Sequence, residues 1–393
     1  MEVDTNSLGH SQPFSLTSLP NELLEFILEY LIPTDPSLNP AVCFEPGLDL
    51  YTHNTAVRRR IDDSWPNDQD SNQRTVALHG LCLSCRHMLV LARPLLYQNI
   101  ILRSAPSMVL LLRTLLENAS LTSAISHLSF AFSSATESEI RGAASTWQDY
   151  VQARIDLDGL SSRAVELLKF AGLDQSDEKS SSSLDAQLSQ LKRIAGVLVS
   201  LTNDVETVLV RLPWARSIQS PALLELAYFC LHYKGPHNNH LYRYPNIKTL
   251  RLKQDYRDWK ISPGPQYISL LAFPNLRRLE LYVHEPINSI MPAHQNVPQV
   301  EELYIHCTPY QVFDAMRAIV PTFTQLRILH VNMYRDKLEP SQDDEYVRLA
   351  TVATMPVLED LDPMSLLQSL RLPLEWHAAV PDRFRNILLE STY

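Results

Sequence analysis

The chain has 393 residues, enough for two or three domains or for one long array of repeats. Its 34 Lys and Arg residues against 44 Asp and Glu residues give a formal net charge of −10, which opposes binding to nucleic acid or to an anionic membrane surface. Only 9 glycines are present, and neither G-x-G-x-x-G nor a Walker-type phosphate loop occurs. The composition therefore argues against nucleic-acid partners, membrane partners and nucleotide-dependent enzymes.

The N-terminus is polar and carries Glu2 and Asp4, so it lacks the basic start and apolar run of a signal peptide. The longest apolar stretch, around 108–116, contains Arg113 and is shorter than the roughly 20 residues that a membrane-spanning helix requires. The 5 cysteines are scattered, as is typical of reduced thiols. These features predict a soluble protein of the cytoplasm or nucleus.

Two helices are predicted in the first hundred residues. The first covers about 16–32, begins near Pro20 and is stopped by Pro33, and its apolar residues recur at helical spacing. A polar segment without periodicity then runs to about Arg74 and predicts a long loop. The second helix is predicted from about Val76 through Leu96, with Pro94 marking its end.

A short phrase with the pattern apolar-x-x-apolar-x-apolar recurs beyond residue 100. It reads PNIKTLRL (245–252), PNLRRLEL (274–281), PQVEELYI (298–305), TQLRILHV (324–331) and LLQSLRL (366–372), with weaker copies at Ile125 and Val205. The alternating end of each phrase predicts a strand, and amphipathic stretches such as 310–320 predict helices between them. Stacked units of this kind predict a parallel sheet backed by helices, and a doubly wound fold is the alternative.

Residues 134–204 interrupt this pattern and are interpreted as an insertion. Helices are expected around 146–171 and 184–201, joined by an acidic, serine-rich segment from Asp174 to Ser183.

The two N-terminal helical segments, LPNELLEFILEYL and LCLSCRHMLVLARPLLYQNI, resemble an F-box of the fungal type, and the phrases that follow resemble degenerate leucine-rich repeats. The F-box likeness covers about 40 residues. It implies an α/β protein in which a helical F-box hairpin precedes an irregular leucine-rich-repeat solenoid with parallel strands and backing helices. The expected divisions are a disordered N-terminus (1–13), an F-box (14–103) with a loop insertion at 33–75, and a repeat domain (104–393) with the insertion at 134–204.

The resemblance implies a substrate-recognition subunit of a Skp–cullin–F-box ubiquitin ligase. The hairpin would bind the Skp adaptor and, through it, a cullin, while the repeats select a protein substrate. The positions that it assigns to the docking hairpin, either as contacts or as internal core, are Leu19, Pro20, Leu23, Leu24, Ile27, Leu31, Leu81, Cys85 and Leu89.

Two features depart from the family pattern. Roughly 40 residues join the two helices instead of a handful, although closing a longer loop adds only about 0.6 kcal/mol per doubling of its length. A repeat scaffold whose F-box does not dock is therefore the alternative function. The positions that would hold an asparagine ladder are Asp255, His284, Thr308 and Tyr334, so the repeats are expected to be irregular.

The expected substrate-binding residues alternate with the buried leucines along the strands and would line up across neighbouring repeats. They combine aromatic and charged side chains, which suits a protein interface. These positions are Arg251, Lys253, Glu280, Tyr282, Tyr304, His306, His330 and Asn332.

Catalytic and metal chemistry finds little support in the sequence. His79, Cys82, Cys85 and His87 have residue types that bind zinc, but one continuous helix would not let them converge on an ion, and the cysteines are expected to be buried as small apolar residues. No nucleophile motif occurs, and the carboxylates at 343–345 open a predicted helix. We expect no enzyme activity, metal or cofactor.

Overall fold

The structure is a computed structural model of the chain. The residues that it describes are 19–32, 68–131, 137–153, 159–174, 183–211, 232–234, 239–253, 272–283, 300–307, 323, 325–333, 366–371 and 386. Predictions that fall on the helix at 310–320, on the four asparagine-ladder positions, on the acidic run at 343–345 and on most of the serine-rich segment lie outside these residues.

Three helices form the N-terminal part of the described chain: α1 (Asn21–Tyr30), α2 (Asp68–Ser84) and α3 (Arg86–Gln98). The carbonyl of Pro20 accepts hydrogen bonds from the amides of Leu23 and Leu24, so α1 begins directly after the proline. The single helix predicted over 76–96 is wrong in two respects. It begins eight residues earlier, which shortens the predicted loop, and it is broken at Cys85.

The break at Cys85 has a local cause. Its backbone is extended (φ −163°, ψ 166°), and its Sγ accepts a hydrogen bond from the amide of Met88 at 3.5 Å. A side chain that caps the next helix in this way competes with continuation of the previous one. Pro94, expected to end the helix, lies inside α3.

Among the described residues the main sheet has eight strands, all parallel. Strands that are neighbours in this sheet also follow one another along the chain, apart from a short antiparallel pair that forms a separate ladder. The α/β class predicted from the sequence is confirmed at this level. The strands of the main sheet are β1 (Asn99–Leu102), β2 (His127–Ala131), β3 (Thr207–Arg211), β6 (Thr249–Lys253), β7 (Arg278–Val283), β8 (Glu302–Cys307), β9 (Ile328–Met333) and β10 (Ser369–Arg371). The antiparallel pair is β4 (His232–Lys234) and β5 (Asn239–Leu241).

The recurring phrases pair in register. Their second apolar positions lie side by side across the sheet and are at most 1% exposed: Leu128, Val208, Leu250, Leu279, Leu303, Leu329 and Leu370. At each strand entry a backbone carbonyl, for example that of Lys248, accepts from two successive amides of the following strand. The sequence phrase therefore encodes both the buried row and the turn that leads into it.

Helices cover the apolar face of β1–β3. They are α4 (Ala105–Glu117), a 3-10 helix (Ala119–Ala124), α5 (Glu137–Ala153), α6 (Ser162–Ala171) and α7 (Leu184–Leu201). The α7 helix has the predicted bounds. The helices of the segment interpreted as an insertion (134–204) contribute Trp147, Leu168 and Leu198 to the main core. A parallel connection from β2 to β3 requires a crossover, and these helices supply it.

No helix among the described residues combines the length and the apolar character needed to cross a membrane.

Candidate functional site

The three N-terminal helices, called here the helical unit, have a hydrophobic core separate from that of the sheet. It is built from residues at helical spacing on each helix, namely Leu24 and Leu28 of α1, Leu78 and Cys82 of α2, and Met88 and Ala92 of α3. Leu19, Leu31 and Leu81 are partly buried against it. Leu24 is therefore an internal core residue of the helical unit, and its side chain is only 1% exposed.

A second apolar side of α1 is open. Leu23 is 51% exposed, Phe26 73%, Ile27 39% and Tyr30 75%, and this i, i+3, i+4, i+7 spacing places the four side chains in one stripe, called here the α1 apolar face. Eight of the ten large apolar side chains that are exposed in the described residues belong to the helical unit. The others on it are Val76, Leu83, Leu89 and Val90. This concentration marks a surface suited to a partner.

Arg74 joins the end of α1 to the beginning of α2. Its Nη1 donates to the carbonyls of Tyr30 at 3.3 Å and of Ile32 at 3.4 Å, and its guanidinium lies 5.5 Å from the centre of the Tyr30 ring. These contacts hold the C-terminal end of α1 against the second turn of α2.

The predicted docking residues divide into two groups. Pro20, Leu23, Ile27, Cys85 and Leu89 are exposed, whereas Leu24 is buried and Leu19, Leu31 and Leu81 are intermediate. The sequence reading missed Phe26 and Tyr30, the most exposed members of the α1 apolar face, although their spacing from Leu23 is visible in the sequence.

Cys82 and Cys85 differ in environment. Cys82 is 8% exposed, and burial raises the pKa of its thiol while the positive charge of Arg93 partly offsets that rise. Cys85 is exposed and caps α3, so the expectation that both cysteines are buried is wrong for Cys85. Within the described ranges, no three His, Cys, Asp or Glu side chains are grouped as a metal site requires.

The face of the sheet opposite the core carries a buried polar row. Arg251, Glu280, Tyr304 and His330 are register neighbours on β6 to β9. Arg251 Nη2 lies 2.6 Å from Glu280 Oε1, and the exposed fractions of the two residues are 3% and 2%. A buried pair of charges is tolerated only when the partners satisfy each other, and this distance meets that condition.

Neighbouring residues complete the row. Arg278 Nη2 is 3.6 Å from Glu280 Oε2, and its guanidinium lies 4.4 Å from the centre of the Tyr304 ring. The hydroxyl of Tyr304 donates to Glu302 Oε2 at 3.2 Å, and burial raises the pKa of Tyr304 to about 12, with the charge of Arg278 opposing the rise and that of Glu302 adding to it. His330 Nε2 is 3.1 Å from Ser369 Oγ.

The eight predicted substrate-binding positions thus fall into two register rows. One is the polar row. The other lies two residues further along each strand, where Lys253, Tyr282, His306 and Asn332 are neighbours in the backbone register. Arg251, Glu280 and Tyr304 are buried instead of open as expected, and His330 is half-buried. Their mutual ion pairs and ring contacts explain why charged residues tolerate this burial. The sequence analysis did not include Arg278 and Glu302. These residues lie two positions before Glu280 and Tyr304 on the same strands, so the same alternation places them on this face.

A shallow groove of about 550 Å³ follows the strand-entry turns. Its charged lining is of mixed sign, with acidic residues at Asp204, Glu206 and Glu301 and basic residues at Lys248 and Arg277. Lys248 pairs with Glu206, and Arg327 Nη1 lies 3.7 Å from Glu301 Oε2. These exposed pairs contribute little to stability individually, and they leave the groove without a dominant charge.

Comparisons with protein-family models, with curated proteins and with solved structures find no match to this chain. Its function must therefore be argued from its own residues.

Proposed function

We propose that the chain is a substrate-recognition subunit of a Skp–cullin–F-box ubiquitin ligase. The helical unit binds the Skp adaptor, the sheet captures a target protein, and the chain performs no bond chemistry itself. The observation that carries the proposal is the α1 apolar face. Its four side chains remain exposed although the opposite side of α1 already fills the core of the helical unit.

The physical argument is the cost of that exposure. Complete burial of a large apolar side chain contributes about 1.5–3 kcal/mol, so the four residues of this face would supply the centre of a stable interface. A helix that is apolar on more than one side is typically covered on each of them. The adaptor is the occupant that the F-box resemblance implies, since Leu23 and Ile27 belong both to the resembling segment and to this face.

The alternative is a repeat scaffold whose F-box does not dock. Its support is the length of the connection between α1 and α2, which spans 31–67 where the family pattern has a handful of residues. In that case the segment would obstruct an adaptor that the helices could otherwise bind.

Co-purification of the full chain with the Skp adaptor tests docking. We expect the wild type to bind, and we expect Leu23→Asp with Ile27→Asp to abolish binding because each carboxylate would be desolvated in the interface. The matched control is Leu110→Asp with Leu366→Asp, which changes two equally exposed leucines outside the helical unit. Circular dichroism verifies that both variants fold. Retained binding by the Leu23/Ile27 variant would remove the α1 apolar face from the interface.

Shortening the connection separates the two candidate functions. Residues 35–66 are replaced by a six-residue Gly-Ser linker, which can connect the two ends because Arg74 holds them together. If the wild type fails to bind the adaptor and the shortened chain binds it, the scaffold alternative is correct. If neither binds, the ligase proposal is wrong.

A further inference from the structure

The shallow groove along the strand-entry turns is lined by a repeated Pro-Asn pair. The side-chain amide of Asn246 donates to the carbonyl of Asn203, and that of Asn275 donates to the carbonyl of Pro245 at 2.7 Å. Each asparagine therefore ties its own turn to the turn of the neighbouring strand. Proline has a fixed φ, so the exposed Pro245 and Pro274 stiffen the same wall. A groove held in this way is formed before a ligand arrives, which lowers the entropy cost of binding.

One charged residue stands directly before each of the strands β3, β6, β7, β8 and β9, and most of these residues are paired. Lys248 pairs with Glu206, and Arg327 Nη1 lies 3.7 Å from Glu301 Oε2. Arg277 occupies the same position before β7, between the two pairs. Its side chain is exposed, and within the described residues its guanidinium makes no hydrogen bond or ion pair. Its positive charge is therefore available to a ligand.

Asp204 supplies the opposite charge in the same groove. It lies three residues before β3, its side chain is exposed, and its carboxylate has no partner among the described residues. The turns that carry Asp204 and Arg277 lead into β3 and β7, which are separated by β6. Two strand spacings of about 4.8 Å put these turns roughly 10 Å apart. Because the other charged lining residues are paired, the groove presents one free anion and one free cation at that separation.

We infer that the groove binds an extended segment of the target protein in which a basic and an acidic residue are three positions apart. The basic side chain pairs with Asp204 and the acidic one with Arg277. The inference rests on the proposed function, because it names the class of segment by which the chain recognises its target.

The spacing of the two charges favours a polyproline II segment. Every third side chain of such a segment lies on the same side, about 9 Å along the chain, which matches the separation of the two turns. The nearest same-side neighbours are about 7 Å apart on a β-strand and about 5–6 Å apart on a helix, so both conformations fit less well.

The size and charge of the groove favour a peptide over a polyanion. Its volume of about 550 Å³ lies within the range of about 300–1,000 Å³ that is typical of ligand sites, and its shallow form admits a continuous chain. Three carboxylates line it against two basic side chains, so nucleic acid would meet repulsion there.

The probe is a fluorescein-labelled octapeptide, Pro-Pro-Lys-Pro-Pro-Glu-Pro-Pro, whose prolines hold the polyproline II conformation. Its binding to the full-length chain is measured by fluorescence anisotropy without the adaptor. One comparison peptide replaces both charged residues by glutamine, and another places lysine and glutamate next to each other. We expect the probe to bind about fivefold more tightly than either, since it adds two ion pairs between partly exposed groups. Equal binding of the glutamine peptide would overturn the inference, and equal binding of the adjacent-charge peptide would overturn the spacing.

Charge reversal at one end of the groove tests the contacts directly. Arg277→Glu should lose the preference for the probe and prefer a peptide with lysine at both charged positions, because a carboxylate then stands at each end of the groove. Asp204→Lys should correspondingly prefer a peptide with glutamate at both positions. A structural disturbance would weaken every peptide without exchanging the preference. A folded variant that gains no affinity for its matched peptide would remove the groove as the site.

The matched control is Arg86→Glu with Asp149→Lys, which changes exposed residues outside the groove and should bind the probe like the wild type. If the control weakens binding as much as the groove variants do, the attraction is diffuse and the site is wrong. Circular dichroism verifies folding. Where a reversal fails to fold, Arg277→Gln and Asp204→Asn should each bind the probe no better than the glutamine peptide, and an unchanged preference would overturn the inference.

Failure of this inference is distinguishable from failure of the ligase proposal. The Leu23→Asp, Ile27→Asp variant should lose the adaptor and keep the probe, because its substitutions lie on α1, outside the groove. Arg277→Glu should keep the adaptor. Loss of both ligands by either folded variant would contradict the separation of the two surfaces.

Discussion

Tyr304 is a buried titratable residue surrounded by charged and aromatic side chains. Its ring lies between the Arg278 guanidinium and the His330 ring, whose centre is 5.1 Å away, and its hydroxyl donates to Glu302. Only 3% of the residue is exposed. Ionisation would place a phenolate next to the carboxylates of Glu280 and Glu302, so the neutral form is strongly favoured in the folded chain.

A pH dependence of stability follows from this environment. The pKa of Tyr304 rises to about 12 in the folded chain, against about 10 in an unfolded one. The stability tied to the neutral phenol is fully present below pH 10 and is lost as the pH rises towards 12, because the unfolded chain releases the proton first. We expect the difference in unfolding free energy between the wild type and Tyr304→Phe to fall across this window. Urea unfolding at several pH values measures it, and a difference independent of pH would contradict the assignment.

At the residue scale, the alternation of side chains along a strand predicts which residues are neighbours but not which of them are buried. Alternation along the strands was sufficient to place Arg251, Glu280, Tyr304 and His330 side by side, since pairing register follows from the aligned leucines. It was not sufficient to predict burial, which depends on how charges on different strands satisfy one another. The two cysteines show the same limit. Spacing alone does not reveal that Cys85 adopts an extended backbone and caps a helix.

At the scale of single elements, two glycines have opposite roles. Gly80 lies within α2, and a methyl group added there would meet nothing within 4 Å. Gly172 ends α6 with φ 62°, a left-handed conformation, and a methyl group there would approach Arg193 Nη1 at 3.2 Å. At Gly80, packing within the chain does not require glycine. At Gly172, the left-handed backbone conformation favours glycine.

Alanine substitutions should therefore act in opposite directions. Gly80→Ala should stabilise the helical unit by about 1 kcal/mol, the usual difference in helix propensity, and Gly172→Ala should destabilise the chain by about 1–2 kcal/mol. Thermal unfolding of the two variants beside the wild type measures both effects. If Gly80→Ala also destabilises the chain, α2 has a packing neighbour that its described contacts do not show.

Elements were predicted best where one short phrase decides the local structure. The strands followed from apolar-x-x-apolar-x-apolar because the buried leucines and the entry turn both lie within that phrase. Helix boundaries were predicted less well, since the break between α2 and α3 depends on one side-chain hydrogen bond. The first residues of α2, from Asp68, are polar and show no apolar periodicity. The sequence pattern therefore does not reveal that the helix begins there.

At the scale of the whole molecule, α3 belongs to both hydrophobic cores. Leu95 and Leu96 pack against the core of the helical unit, whereas Tyr97 and Ile100 pack against that of the sheet. The carbonyl of Gln98 accepts hydrogen bonds from the Ser126 amide at 3.0 Å. The change from a helical to a strand-like apolar pattern near residue 100 predicts a division into two parts. The interpretation of 134–204 as an insertion does not reveal that its helices fill the main core, because membership of a core depends on contacts distant in sequence.

This shared helix predicts that the two parts unfold together. Gln98 is followed immediately by the first residue of β1, and Arg93 Nη2 donates to Asn118 Oδ1 at 3.4 Å, so little freedom remains between them. Calorimetry of the wild type should show one transition. Inserting Gly-Ser-Gly-Ser between Gln98 and Asn99 should divide it into two, because the helical unit then loses the packing that the sheet provides. The same insertion after Gly159, in an exposed turn before α6, should leave a single transition. One unchanged transition after the first insertion would mean that the Arg93–Asn118 hydrogen bond and the packing of Tyr97 against the main core, and not the direct chain connection, couple the two parts.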